Sequence, residues 1–239
     1  MRPSKLAGVL LASSILILPA SSLAQDNFSG FAASMAMIDM HTNNMNIAMG
    51  IDDEDDFSSV PSRPVPVTAT TYRPDPAIRR QVESQILQVV SRHNAEAGQQ
   101  LSAAMAQHDF VAQFDRAMGR FGLRSGNAVD AMTAYILASW GAANNYQGTP
   151  TRTQVQAVKD QIGRRFNSAG LNTAPKRQEF AETLIYRTIL MDMAMEETQK
   201  SGDTATARRL GDQAQRQLLS AGFNLRQLTL TDRGLVPGA

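Results

Sequence analysis

The stretch "NAVDAMTAYILASWGAANN", residues 127–145, decides the fold. Its apolar residues fall on almost every side of a helix rather than along one stripe, and such a helix must be buried on most faces. A second stretch, "LIYRTILMDMAM" (184–195), has the same character inside a longer helical segment predicted from near Pro175 to about Lys200. Two helices apolar all round need a coat. The remaining segments between residues 75 and 221 supply it, because their apolar residues recur on one face only.

Working outward, the flanking segments carry start and stop signals. Asp75-Pro76 pairs a capping side chain with a proline at the first helical position. Ile78, Val82, Ile86 and Val89 follow on one face, which predicts a helix reaching about Ala97, before Gly98. Leu101 and Met105 extend the apolar pattern. Asp109 opens another segment through Phe110, Phe114 and Met118, closed by Gly119 or Gly122. Thr149-Pro150 predicts the next start, with Val155, Val158, Ile162 and Phe166 as the buried stripe and Gly170 as the stop. Asp203 begins the last helix, with Leu210, Ala214 and Leu218 inward and Gly222 as terminator. The tail "LTLTDRGL" (228–235) alternates and is expected to dock as a short extended piece. The fold class is therefore all-α: a compact bundle of about six helices, two of them central and apolar.

The chain ahead of the bundle reads differently. Arg2 and Lys5 precede an apolar run from Leu6 to Leu18, Pro19 breaks it, and Ser22-Leu23-Ala24 ends in small residues. That is the pattern of a secretory signal, with residues 1–24 removed and maturation at Gln25. The run is short for a membrane span, which needs about 20 residues. No other stretch is apolar enough to cross, so the mature chain is expected to lack a transmembrane segment and to be periplasmic or secreted. Residues 25–73 are Met-rich, then acidic, then Pro-rich, with Pro61, Pro64 and Pro66 favouring an extended linker ahead of a helical domain at 74–239. The chain has no cysteine, which excludes disulfides, thiolate metal sites and a lipid anchor on cysteine.

Charge is uneven. Residues 25–73 carry two arginines against seven acids, a net of −5, and residues 74–239 carry 19 basic and 15 acidic residues, a net of +4. The bases are scattered over several helices, which speaks against nucleic acid as a partner.

Sequences with "TYRPDP" (71–76), "FDRAMGRFGLRSGNAVDAMTAYILASW" (114–140), "LIYRTILMD" (184–192) and "LTLTDRGL" (228–235) define a family that this chain resembles over most of residues 70–236. It is a family of uncharacterised exported bacterial proteins, a domain of unknown function. The resemblance implies a helical exported domain. It brings no activity, cofactor or catalytic residue.

Catalytic patterns for nucleotide, acyl-transfer or zinc-protease chemistry are absent. The three histidines, His41, His93 and His108, have no partner in the pattern; His93 and His108 fall near helix ends. Three acids within apolar sequence, Asp130, Glu182 and Asp192, are candidates for a carboxylate pair of the kind that hydrolyses glycans, which would stand about 5–9.5 Å apart in a cleft. The run Asp52 to Asp56 fails the EF-hand pattern, because the sixth residue from Asp53 is Ser58 and the twelfth is Pro64. Met35, Met37, Met40, Met45 and Met49, with His41 beside Met40, form a soft donor set suited to Cu(I). Methionine is also a plastic hydrophobe, and the same segment reads as an adhesive surface.

Three functions follow as expectations. The first is a non-enzymatic module that binds an envelope macromolecule or serves as an accessory subunit, with no cofactor. The second is an envelope hydrolase using paired carboxylates, and the third a copper binder. Arg187 and Asp192 interrupt the second apolar stretch. Five residues apart, they point about 140° from each other. Each is expected to have a partner on a neighbouring element: Asp130 for Arg187, and Thr188 or the C-terminal backbone for Asp192. On that expectation Asp192→Ala lowers the unfolding midpoint.

Overall fold

The computed structural model describes residues 69–167, 169–219 and 221–238. The Met-rich segment with its metal candidates Met35, Met37, Met40, His41, Met45 and Met49, the acidic run and the signal-like start lie outside these residues. Among the described residues the chain forms seven α-helices and one short antiparallel sheet. In order they are α1 (Pro76–His93), α2 (Ala95–Gln107), α3 (Phe110–Met118), α4 (Ala128–Ala143), α5 (Arg152–Arg165), α6 (Ala174–Ser201), α7 (Thr204–Leu219), β1 (Leu228–Thr231) and β2 (Gly234–Pro237).

The quoted stretch is the centre of the bundle. Every residue of α4 from Ala128 to Ala143 is buried, and α4 packs against α6, the other central helix. Around this pair, α7 covers both, α1 and α3 lie on α6, and α5 lies on α4. Aliphatic and aromatic side chains from all of them form one continuous core, including Ile86, Phe114, Ile136, Ile162, Ile189 and Phe223. Each large apolar side chain so buried contributes about 1.5–3 kcal/mol relative to exposure.

Caps follow the sequence with two corrections. Asp75 accepts from the Ala77 amide at 2.7 Å and Asp109 from that of Ala112 at 2.9 Å. The first helix, however, does not reach Ala97. It stops at His93 because Asn94 turns extended and caps a new helix, its side chain accepting from the Ala97 amide at 3.0 Å. Gly98 then seats α2 against α1: a β-carbon there would lie 2.0 Å from Ser91 Oγ. The helix expected from Thr149-Pro150 begins two residues later. Thr151 is its cap, in a reciprocal arrangement with Gln154 that satisfies two amides at once.

The tail does dock extended, but as a hairpin. Leu228 pairs with Pro237 and Thr231 with Gly234. Trp140 Nε1 of the central helix donates to the Leu228 carbonyl at 2.9 Å. Gln161 of α5 grips Leu235 on both sides, accepting from its amide at 2.9 Å and donating to its carbonyl at 3.0 Å. Gly234 closes the turn with a φ of +97°, a conformation that side chains disfavour.

Close approach also fixes α7. A β-carbon on Gly211 would stand 2.5 Å from the carbonyl oxygen of Ala142 in α4. Backbone cannot yield as a flexible side chain can. Gly211→Ala is therefore expected to destabilise by about 1–3 kcal/mol, as overpacking does. The same exchange at an unhindered helix position would stabilise by about 1 kcal/mol. Thermal unfolding of this one variant separates the two; a raised midpoint would mean that α7 does not sit this close.

Candidate functional site

The polar residues that the bundle gathers most densely lie between α1 and α6. These helices run parallel, and their contacts repeat at a constant separation of 103 residues: Asp75 with Gln178, Arg79 with Glu182, Glu83 with Tyr186. On each helix the three residues stand at i, i+4 and i+8, one face over two turns. Gln178 accepts from the Asp75 amide at 2.8 Å and donates to the Asp75 carbonyl at 2.8 Å. Arg79 donates to Glu182 through Nη2 at 3.3 Å and Nε at 3.4 Å, and Gln178 adds a third bond to Glu182 at 3.0 Å. The Tyr186 hydroxyl donates to Glu83 at 2.6 Å. Arg79 also reaches Asp109, the α3 cap, at 3.6 Å, and the Tyr186 ring lies 5.8 Å from that of Phe110. One stripe thus ties three helices.

The electrostatics follow from burial. The Glu182 side chain is 0% exposed. Desolvation raises its pKa above the usual carboxylate value, opposed by the hydrogen bonds and charge of Arg79 and by Gln178. Desolvation also raises that of Tyr186, reinforced by Glu83. The Tyr72 hydroxyl, bonded to the Ser125 carbonyl, is raised by burial and then by Glu182. The Tyr72 and Tyr186 hydroxyls therefore keep their protons near neutrality, and solvent does not reach the Glu182 side chain.

The three acids read from sequence are not brought together. Asp130, in the first turn of α4, accepts from the Arg124 amide at 2.9 Å and lies 2.6 Å from Lys159 Nζ of α5. Its pKa is raised by burial against the pull of Lys159. Glu182 faces α1. Asp192 pairs with neither Lys159 nor Arg79.

Two expected partnerships are corrected. Arg187 does not meet Asp130. It donates to Gln217 of α7 at 2.9 Å and lies over the Tyr135 ring at 4.9 Å. Asp130 and Tyr135 are five residues apart, so they leave α4 in different directions: Tyr135 toward α7, where its hydroxyl also meets Gln217, and Asp130 toward α5. Thr188 does not serve Asp192, because its hydroxyl donates to the Leu184 carbonyl one turn back. Both Asp192 oxygens are buried without a hydrogen-bond partner. Burial, and then the charge of Glu196, push its pKa up to about 7.

Sequence reading found Glu182 and missed Arg79, Glu83, Gln178 and Tyr186. A signal was present: Gln178, Glu182 and Tyr186 share one face of α6, and Asp75, Arg79 and Glu83 share one face at the start of α1. The relative register of the two helices was not in it. His93 ends α1, and His108 caps the end of α2. Among the described residues no three of His, Asp or Glu converge as a metal set, and no helix is long and apolar enough to cross a membrane.

A family model described as "Family of unknown function (DUF6683)" matches residues 2–237. No curated protein and no solved structure matches the chain.

Proposed function

Since the chain belongs to DUF6683, a family of unknown function, we propose its role from the site: it is a non-enzymatic exported module that binds an envelope macromolecule or serves as an accessory subunit. One observation carries this. Glu182, the most enclosed acid of the polar stripe, has 0% side-chain exposure and both oxygens occupied by Arg79 and Gln178. A general acid or base must reach the proton it moves. A carboxylate so enclosed serves instead to hold helices in register. The signal-like start, from Arg2 to Ala24, supports export.

The test uses the protein recovered from the native envelope fraction. Its N-terminal residue is expected to be Gln25. Cross-linking in that fraction is expected to join the chain to one envelope component in fixed ratio. The proposal fails if the native chain cleaves envelope glycans while a folded Glu182→Gln variant does not.

A further inference from the structure

Three guanidinium groups converge on the turn that follows α3. This turn, Gly119 to Gly122, is closed by a bond from the Gly122 amide to the Gly119 carbonyl at 3.0 Å. A β-carbon on Gly119 would stand 3.0 Å from an Arg124 guanidinium nitrogen, and one on Gly122 would stand 3.4 Å from one of Arg152. Arg120 lies over the Phe121 ring at 4.6 Å. Arg116 stands one helical turn before Arg120. All four arginines are exposed, and none has an ion pair among the described residues. The nearest acid in sequence, Asp115, is engaged by the amide and hydroxyl of Ser125, each at 2.7 Å. Lys200 and Arg226, by contrast, are paired with Glu196 and Asp212.

The chain enters the domain beside this patch. The Thr70 carbonyl accepts from the Ala128 amide at 2.8 Å, and the Tyr72 amide donates to the Gly126 carbonyl at 3.1 Å. The entry point is thus bonded to the same loop that carries Arg124. Upstream, Asp52-Asp53-Glu54-Asp55-Asp56 places five acids in succession, in a segment with a net charge of −5. Thirteen residues separate Asp56 from Thr70, a reach of roughly 45 Å when extended. We infer that the acidic run 52–56 docks on the Arg116, Arg120, Arg124 and Arg152 patch of its own chain. Reach alone selects no site. Complementary charge and an entry point on the patch's own loop do, because a short tether gives the run a high effective concentration there. The contact is exposed, so salt weakens it.

The chain has no cysteine, so spin labels can be placed at Ser58→Cys and Thr153→Cys without background. Pulsed electron resonance on the full chain is expected to show a short, narrow distance peak at low salt. The peak should broaden to long distances at high salt. It should do so equally when Asp52, Asp53, Asp55 and Asp56 are changed to Asn and Glu54 to Gln, changes that leave the helical domain untouched. The same broad distribution in all three samples overturns the inference. So does a short peak that disappears on dilution with unlabelled protein, which assigns the run to the patch of a second copy.

Discussion

Arg79→Ala is expected to cost the helical domain about 3–5 kcal/mol, the range for removing one partner of a buried ion pair. The asymmetry of the pair sets the size. Arg79 keeps 27% of its side chain in solvent, whereas Glu182 has none. Removing the arginine leaves the carboxylate enclosed with Gln178 as its remaining donor, and the charge then has no counterion. Removing Glu182 instead leaves Arg79 able to turn toward water and toward Asp109, so Glu182→Ala is expected to cost less. A domain of this kind is stable by about 5–15 kcal/mol in total, so the loss moves a urea midpoint far. The double change Arg79→Met with Glu182→Met should recover much of it, because apolar replacements of a whole buried pair are often neutral. A loss below about 1 kcal/mol for Arg79→Ala would place the pair in solvent and remove the clamp.

The second large effect has the opposite sign from the one expected from sequence. Asp192→Asn should stabilise the protein at neutral and alkaline pH. An aspartate in an unfolded chain titrates near 3.9, and in the fold Asp192 titrates at about 7. Between those values the folded state holds a proton that the unfolded state has released, so stability falls as pH rises. Below about pH 4 both states are protonated and the penalty is absent. Above about pH 7 both are ionised and the penalty is complete, with an upper bound on the order of 4 kcal/mol. The asparagine variant lacks this titration. The stability difference between variant and native should therefore be small at pH 4, grow up to pH 7, and level off beyond it. Chemical denaturation at pH 4, 6 and 8 checks the slope; a difference independent of pH would mean that the carboxyl finds a partner or water.

Neither effect was readable from the chain alone. Sequence marked Arg187 and Asp192 as costly interruptions of an apolar helix, a sound inference from the expense of burying charge. It gave Arg187 a partner by assuming that the other central helix would turn Asp130 toward it, and it gave Asp192 either Thr188 or the C-terminal backbone. Helical spacing fixes directions within one helix. It leaves the rotation of one helix against another free, and that rotation sends Asp130 to Lys159 and Tyr135 to Arg187.

What the sequence by itself determined is local and periodic. The burial of α4 and much of α6 followed from apolar residues on nearly every face, and the starts at Asp75, Asp109 and Asp203 followed from side chains that satisfy free amides. Such features depend on residues within a turn or two of each other. The tertiary structure alone decided that α1 and α6 lie parallel with their polar stripes in register, that Asn94 divides the first helix, and that Asp192 is enclosed without a partner. Those outcomes depend on which surface each helix meets. Packing of the whole core sets that choice, because a helix rotates to bury its apolar face and carries its polar residues to whatever neighbour stands there.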